Sequence, residues 1–341
     1  DLHNRTHSFP TRRSSDLQAL GAVLAHSEPL ATGRLRKGTV LEEPHLAALA
    51  TAGYARVTVA RLGPQDMDED SAALALARAL APEGCGLQLQ AVGTGRVNLL
   101  ADGPGLARID AGKVHAVNAC DPAITLATVP EWHRMDQGGM VATVKIVAYG
   151  LEKASVSKGC ALGAAALSLA RPVLDTASLI ETTTGARTGA GGSDKGYRVT
   201  AERLYRLGVK IGPECLVFHD ENSISDALRK AEGALLLILT ASATSDERDT
   251  APKALRRAGG TVTHFGMPVD PGNLLFLGTL GARPVVGLPG CARSPALNGA
   301  DFVLERLICG VPVAGDDIRR MGVGGLLKEI PTRPRPRNRR D

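Results

Sequence analysis

Residues 234–239 read Ala-Leu-Leu-Leu-Ile-Leu without a polar interruption, between Gly233 and Thr240. So short a run with abrupt borders suits a strand covered on both faces, of the kind found at the centre of a parallel sheet. The flanking sequence supplies the covers. Just before the run, Ile224, Ala227, Leu228 and Ala231 fall three and four residues apart, the spacing of one helical face. Beyond it, residues 249–258 read as a helix, 261–265, 274–280 and 284–288 as strands, and 296–308 as a closing helix. Upstream, residues 177–182 read as a strand leading into a Gly-rich polar loop (Thr184, Gly185, Gly189, Gly191, Gly192). Helical spacing follows over 197–207 and a strand over 209–218. Strands alternating with helices predict an α/β fold, a doubly wound, mostly parallel sheet, over residues 176–325.

The preceding segment has another texture. Leu46, Leu49 and Ala50 mark a helix that Gly53 ends, residues 56–60 alternate as a strand, and an Ala/Leu helix covers 71–80. Short β-branched runs at 123–129 and 140–147 complete a smaller mixed α/β or β-rich module over residues 18–150. Residues 151–175 read as a hinge, its Ala/Leu/Gly segment 153–169 as a helix or hinge into the next domain. Residues 1–17 show no periodicity and are expected to be a non-native or disordered arm, and 326–341 a Pro/Arg-rich tail or linker.

Charge excludes one class of partner. The net charge is +5, but residues 1–17 hold three Arg against two Asp and residues 331–341 five Arg against one Asp, so the ends carry all of it. A neutral body with 3% aromatic residues offers neither a basic track nor a stacking platform for nucleic acid. Six cysteines without a CxxC pair read as reduced thiols of a cytoplasmic protein, and no apolar run reaches the length of a membrane span.

In an open α/β sheet, ligands bind beyond the carboxyl ends of the strands. There the loop 240–249 holds four hydroxyls (Thr240, Ser242, Thr244, Ser245) and three carboxylates (Asp246, Glu247, Asp249) just before a helix. Small hydroxyl residues leave backbone N–H groups open to an anion. Asp249 then reads either as a helix cap or as a magnesium ligand beside a phosphate. His219 and His264 end strands and read first as hydrogen-bonded histidines. Lys195 reads first as a solvated lysine, with a phosphate contact as the alternative.

Three blocks carry a resemblance: residues 240–255 followed by Ala258-Gly259-Gly260; Val269-Asp270-Pro271-Gly272-Asn273; and residues 283–290 with Ser294. In order and spacing they resemble the MoeA/MogA molybdopterin-binding domain, with its Gly/Ser loop leading to an Asp, its Pro-Gly turn and its G-L-P-G-N-P-x-S loop. The stretches 139–146 and 264–273 are similar to bacterial proteins that join this domain to a MobA-like nucleotidyltransferase, and that likeness spans residues 20–330. Ala241, Ser242 and Ala243 stand in place of the paired glycines of the first loop, and Cys291-Ala292 in place of Asn-Pro.

The resemblance implies molybdopterin, free or nucleotide-activated, as ligand. It implies binding by Thr240, Ser242, Ser245, Pro271, Gly272, Asn273, Pro289, Gly290 and Ser294, with Asp249 as the catalytic and Mg2+-binding residue. The function it implies is a molybdopterin-binding protein of molybdenum cofactor biosynthesis. One alternative is a Mg2+-dependent molybdotransferase that inserts molybdate into adenylylated molybdopterin; another is a non-catalytic docking scaffold. No nucleotidyltransferase motif occurs in these residues, so such a domain is expected as a partner, and a homo-oligomer is compatible with the reading.

Overall fold

A computed structural model describes residues 12–14, 19–185 and 195–327. Gly189, Gly191 and Gly192 of the Gly-rich loop, most of the N-terminal arm and residues 328–341 lie outside them. The chain forms a mixed α/β structure of two compact units: residues 1–102, 107–133 and 137–169 make the first, and residues 103–106, 134–136 and 170–341 the second.

The first unit is built on a four-stranded antiparallel sheet in the order Ile124–Thr128, Met140–Ile146, Arg96–Ala101, Leu87–Gly93. The helix Glu69–Leu80 buries Ala72, Ala73, Leu76, Ala77 and Leu80, and Asp68 caps it by accepting the Ser71 N–H at 2.9 Å. Residues 151–169 belong to this unit: Gly150–Glu152 pairs with Asp66–Asp68, and of the helix or hinge expected over 153–169 the structure has the helix, Lys153–Leu162. Glycine in this helix serves packing. A Cβ on Gly159 would stand 2.9 Å from Leu76 Cδ2, so glycine lets the two helices meet. Arg12–Ser14, inside the expected arm, pairs antiparallel with Val57–Val59.

In the second unit the elements run β1 (Thr176–Thr183), α1 (Lys195–Tyr205), β2 (Lys210–Ile211), β3 (Cys215–Phe218), α2 (Glu221–Lys230) and β4 (Leu235–Leu239). They continue with α3 (Thr250–Arg257), β5 (Thr261–Phe265), β6 (Phe276–Leu280), β7 (Arg283–Leu288), α4 (Gly299–Ile308) and α5 (Gly315–Arg320). One seven-stranded sheet results, with β2 and β3 end to end along β1, then β4, β7, β6 and β5. The pairs of β1 with β2, β3 and β4, and of β4 with β7, are parallel. The pairs β7–β6 and β6–β5 are antiparallel, so one side of the sheet departs from the parallel pattern.

All five residues of β4 are fully buried, each worth about 1.5–3 kcal/mol of apolar transfer. Ile180, Leu236, Ile238 and Val285 share one cluster with Ile224 and Leu228 of α2 and Ala251, Ala254 and Leu255 of α3. Alternate residues face the other way, where α1 approaches so closely that a Cβ on Gly196 would stand 2.8 Å from Leu239 Cδ2. Helices therefore cover both faces, as the unbroken apolar run requires.

Helix α4 holds a half-buried acid. Glu305 lies 3.3 Å from Arg134, and burial, with Asp301 beside it, pushes its carboxyl up to about 7 against the pull of Arg134 and Arg206. A folded-state value above the unfolded one means stability is fully present below about 4.5 and is lost as pH rises toward 7. Wild type is expected to lose stability relative to Glu305→Gln by about 1.4 kcal/mol per pH unit across that window and no further above it. Urea unfolding at pH 4, 5, 6, 7 and 8 measures this; a constant difference between the two proteins would remove the assignment.

Candidate functional site

The connection leaving β1 runs to β2 and β3 on one side of the sheet, whereas that leaving β4 runs to β5 on the other. Where neighbouring connections diverge, a crevice opens beyond the strand ends, and open α/β sheets bind ligands there. The groups at these ends are joined by polar contacts. Thr182 Oγ1 accepts the Ala241 N–H at 2.7 Å and shares a 3.0 Å hydrogen bond with His219 Nδ1, tying β1 to the loops after β3 and β4. Arg293 Nη1 donates to the Thr240 carbonyl at 3.0 Å, and its Nη2 lies 3.9 Å from Glu181 Oε1. Glu181 is buried, in space that exists because residue 196 is glycine: a Cβ there would stand 2.1 Å from Oε1.

After β7, Pro289 opens a 3-10 turn, Gly290–Arg293, and the chain passes through Ser294 and Ala296 to the cap of α4. This turn is held from α1. Arg203 donates to Asp301 Oδ1 (2.7 Å) and to the carbonyls of Ala292 (2.5 Å), Ser294 (2.5 Å) and Ala296 (3.0 Å). Asn298 caps α4, and its Nδ2 donates to Cys291 Sγ at 3.1 Å. The Asp270–Pro271 turn closes the other wall: the Gly299 N–H donates to the Pro271 carbonyl at 2.8 Å. Between these walls lies a cavity of about 270 Å³ lined by Pro271, Gly290, Cys291, Ser294 and Ala296, with the cationic side chains of Lys195 and Arg293.

The structure divides the residues expected from sequence into two groups. Pro271, Gly290 and Ser294, from two separate blocks of sequence, meet in this cavity with Lys195. Pro289 is buried as the cap of the turn. Gly272 has φ +147, and a Cβ there would stand 2.9 Å from the Gly299 backbone, so it fits the turn against α4. Asn273 is exposed, and its Nδ2 donates to the Met267 carbonyl at 3.2 Å. The loop after β4 does not line the cavity. Thr240 is buried and donates its hydroxyl to the Ser242 carbonyl at 2.5 Å, while the Ser245 N–H donates to Asp249 Oδ2 at 3.1 Å. The side chains of Ser242 and Ser245 are exposed.

Asp249 is the cap of α3: Oδ1 accepts the Thr250 N–H at 2.7 Å. Burial opposes its ionisation, yet the Thr250 and Ser245 N–H groups and the charge of His219 hold its carboxyl below the usual range. Both carboxylate oxygens thus have a backbone donor. Among the described residues no group of three or more His, Cys, Asp or Glu side chains is arranged to hold a metal ion. His264 packs away from this chemistry, with Nδ1 2.9 Å from where a Cβ on Gly315 would stand.

Sequence reasoning missed Arg203, Arg293, Glu181 and Thr182. For Arg203 a signal existed: it falls seven residues after Gly196 and four after Val199, on the buried stripe of α1. A charged residue on that stripe implies a buried partner, here Asp301.

No family model matches the chain, and no curated protein matches it. Among solved structures it is similar to the molybdopterin biosynthesis MoeA protein from Pyrococcus horikosii, at 13% identity and TM-score 0.32, over 91% of this chain and 76% of that one. It is also similar to a molybdenum cofactor biosynthesis protein B, at 18% identity and TM-score 0.27, over 41% of this chain and 91% of that one. Neither superposition is close enough to transfer the role of a residue.

Proposed function

We propose that the second unit is a doubly wound molybdopterin-binding domain, that the protein acts in molybdenum cofactor biosynthesis, and that the cavity beside the Gly290–Arg293 turn holds the phosphate-bearing end of the pterin. The observation that carries this reading is the meeting of Pro271, Gly290 and Ser294 with Lys195 and Arg293 in one cavity. Three of these residues come from the blocks that resemble the MoeA/MogA domain; the two cations, set against the single carboxylate of Glu181, favour an anion in the cavity.

The volume defines what enters. About 270 Å³ falls just below the range of pockets that enclose a whole drug-sized ligand, roughly 300–1,000 Å³, so a phosphate and the adjoining ring fit while the rest of the pterin extends over the strand ends. Lys195 and Arg293 neutralise the phosphate charge, and the Ser294 hydroxyl donates to one of its oxygens. Beside Gly290 no atom stands within 4 Å of a Cβ position, so the backbone is open to close approach. A MobA-like nucleotidyltransferase is the partner that this reading assigns to the bound pterin.

The molybdotransferase alternative needs Asp249 as a Mg2+ ligand, and that carboxylate already accepts two backbone N–H groups. A cap is served as well by Asn as by Asp. Asp249→Asn is therefore expected to keep the fold, and its molybdopterin affinity is expected to be the same with and without Mg2+. Calorimetric titration of wild type and variant, with AMP release on molybdate addition as a second readout, makes the test. A Mg2+ dependence present in wild type and lost in Asp249→Asn would establish the metal role and favour the transferase; no binding in wild type would favour the scaffold.

A further inference from the structure

A second and larger cavity, about 680 Å³, lies along the amino-terminal half of β1, away from the strand ends. Its origin is a fault in the edge strand. Ala177 pairs with Ile211 and Ile180 with Cys215, so three steps along β1 are matched by four along its partner. The extra residue bulges out at 212–214, where Pro213 has no N–H to return to the sheet. The helix on this face leaves the space unfilled: α2 ends at Lys230, and its inward positions near the gap are Ala227 and Ala231. Gly233 then brings the chain back so close to β1 that a Cβ would stand 2.4 Å from the Ser178 N atom.

The walls are mainly apolar. Ile180 and Ala227 belong to the main core cluster of the unit, and Cys215, Val217 and Ala231 pack against it. Two cations on different elements stand at the rim, Lys210 on β2 and Lys230 on α2, both exposed, with Glu232 beside them. The Lys230 ammonium lies near enough to the Cys215 thiol to oppose the rise that burial gives it. Among the described residues neither lysine is within 4.0 Å of a carboxylate oxygen. A cleft of this volume lies within the range of pockets that hold a small ligand.

We propose that this cavity is a second ligand site, for a small organic acid whose apolar body lies against Ile180, Val217 and Ala227 and whose single anionic group is held by Lys210 and Lys230. The site is independent of the strand-end cavity.

Displacement of 8-anilinonaphthalene-1-sulfonate from the full chain, followed by fluorescence, tests it. The expected result is one dye site per chain, displaced by octanoate about tenfold better than by octanol, with that preference lost in Lys210→Gln/Lys230→Gln. Ala231→Leu, which fills the rim without removing a charge, is expected to abolish dye binding with an unchanged far-UV spectrum. Equal displacement by octanoate and octanol, or dye binding that survives both variants, overturns the proposal. So does a dimer, seen by sedimentation at the same concentration, whose dissociation is what exposes the dye site, because the cavity is then an interface with a second copy.

Discussion

Replacing Arg203 with Met is expected to cost the second unit about 3–5 kcal/mol, because the substitution leaves Asp301 buried without its counter-charge. The side chains of Arg203 and Asp301 are 8% and 11% exposed, and the guanidinium makes four hydrogen bonds, three of them to carbonyls of the segment 292–296. Met keeps much of the apolar stem and none of the donors, so the loss is of polar contacts rather than of volume. Arg203→Lys keeps the charge but lacks the planar fork that reaches several acceptors, and should recover only part of the loss. In urea, Arg203→Met should lower the midpoint of the far-UV dichroism transition. A shift under 1 kcal/mol would mean that the turn is held by other contacts.

Gly272→Val is expected to have an effect of similar size by a different route. A side chain at φ +147 costs about 1–3 kcal/mol in backbone strain alone. Its Cβ would also stand 2.9 Å from Gly299 N and Cα, which are backbone atoms that cannot rotate away. Relief requires the Asp270–Pro271 turn to move off α4, breaking the bond from the Gly299 N–H to the Pro271 carbonyl and withdrawing Pro271 from the cavity. Gly272→Ala should show most of the loss, since the collision begins at Cβ. Thermal unfolding of both variants decides the matter; a melting temperature within a degree of wild type would show that the turn has another conformation open to it.

The sequence makes the centre of the second unit readable because burial on both faces leaves no polar position in Leu235–Leu239, and because α2 and α3 announce themselves by spacing and by their Asp220 and Asp249 caps. The antiparallel side was readable on other grounds. Gly281 and Ala282 are all that separate β6 from β7, and a two-residue connection joins only antiparallel strands. What periodicity could not show is how glycines are used. Those at 159 and 163 each replace a Cβ that would stand under 3.0 Å from a leucine side chain of the helix Glu69–Leu80. Nor could it show which hydroxyls of the loop 240–249 are spent on the loop's own carbonyls, as Thr240 is on Ser242. The cavity itself depends on Lys195, Arg203 and Arg293, brought together from α1 and from beyond β7 by tertiary contacts that no local pattern encodes.

The most direct measurement is the equilibrium binding of molybdopterin to the full chain and to Lys195→Gln/Arg293→Gln, with folding of the variant checked by dichroism. A charge-assisted hydrogen bond contributes about 1.5–3 kcal/mol, so loss of the two cations should weaken binding by at least about a hundredfold, at one site per chain. Binding of unchanged affinity in the folded double variant, or no binding in wild type, would contradict the assignment of this cavity.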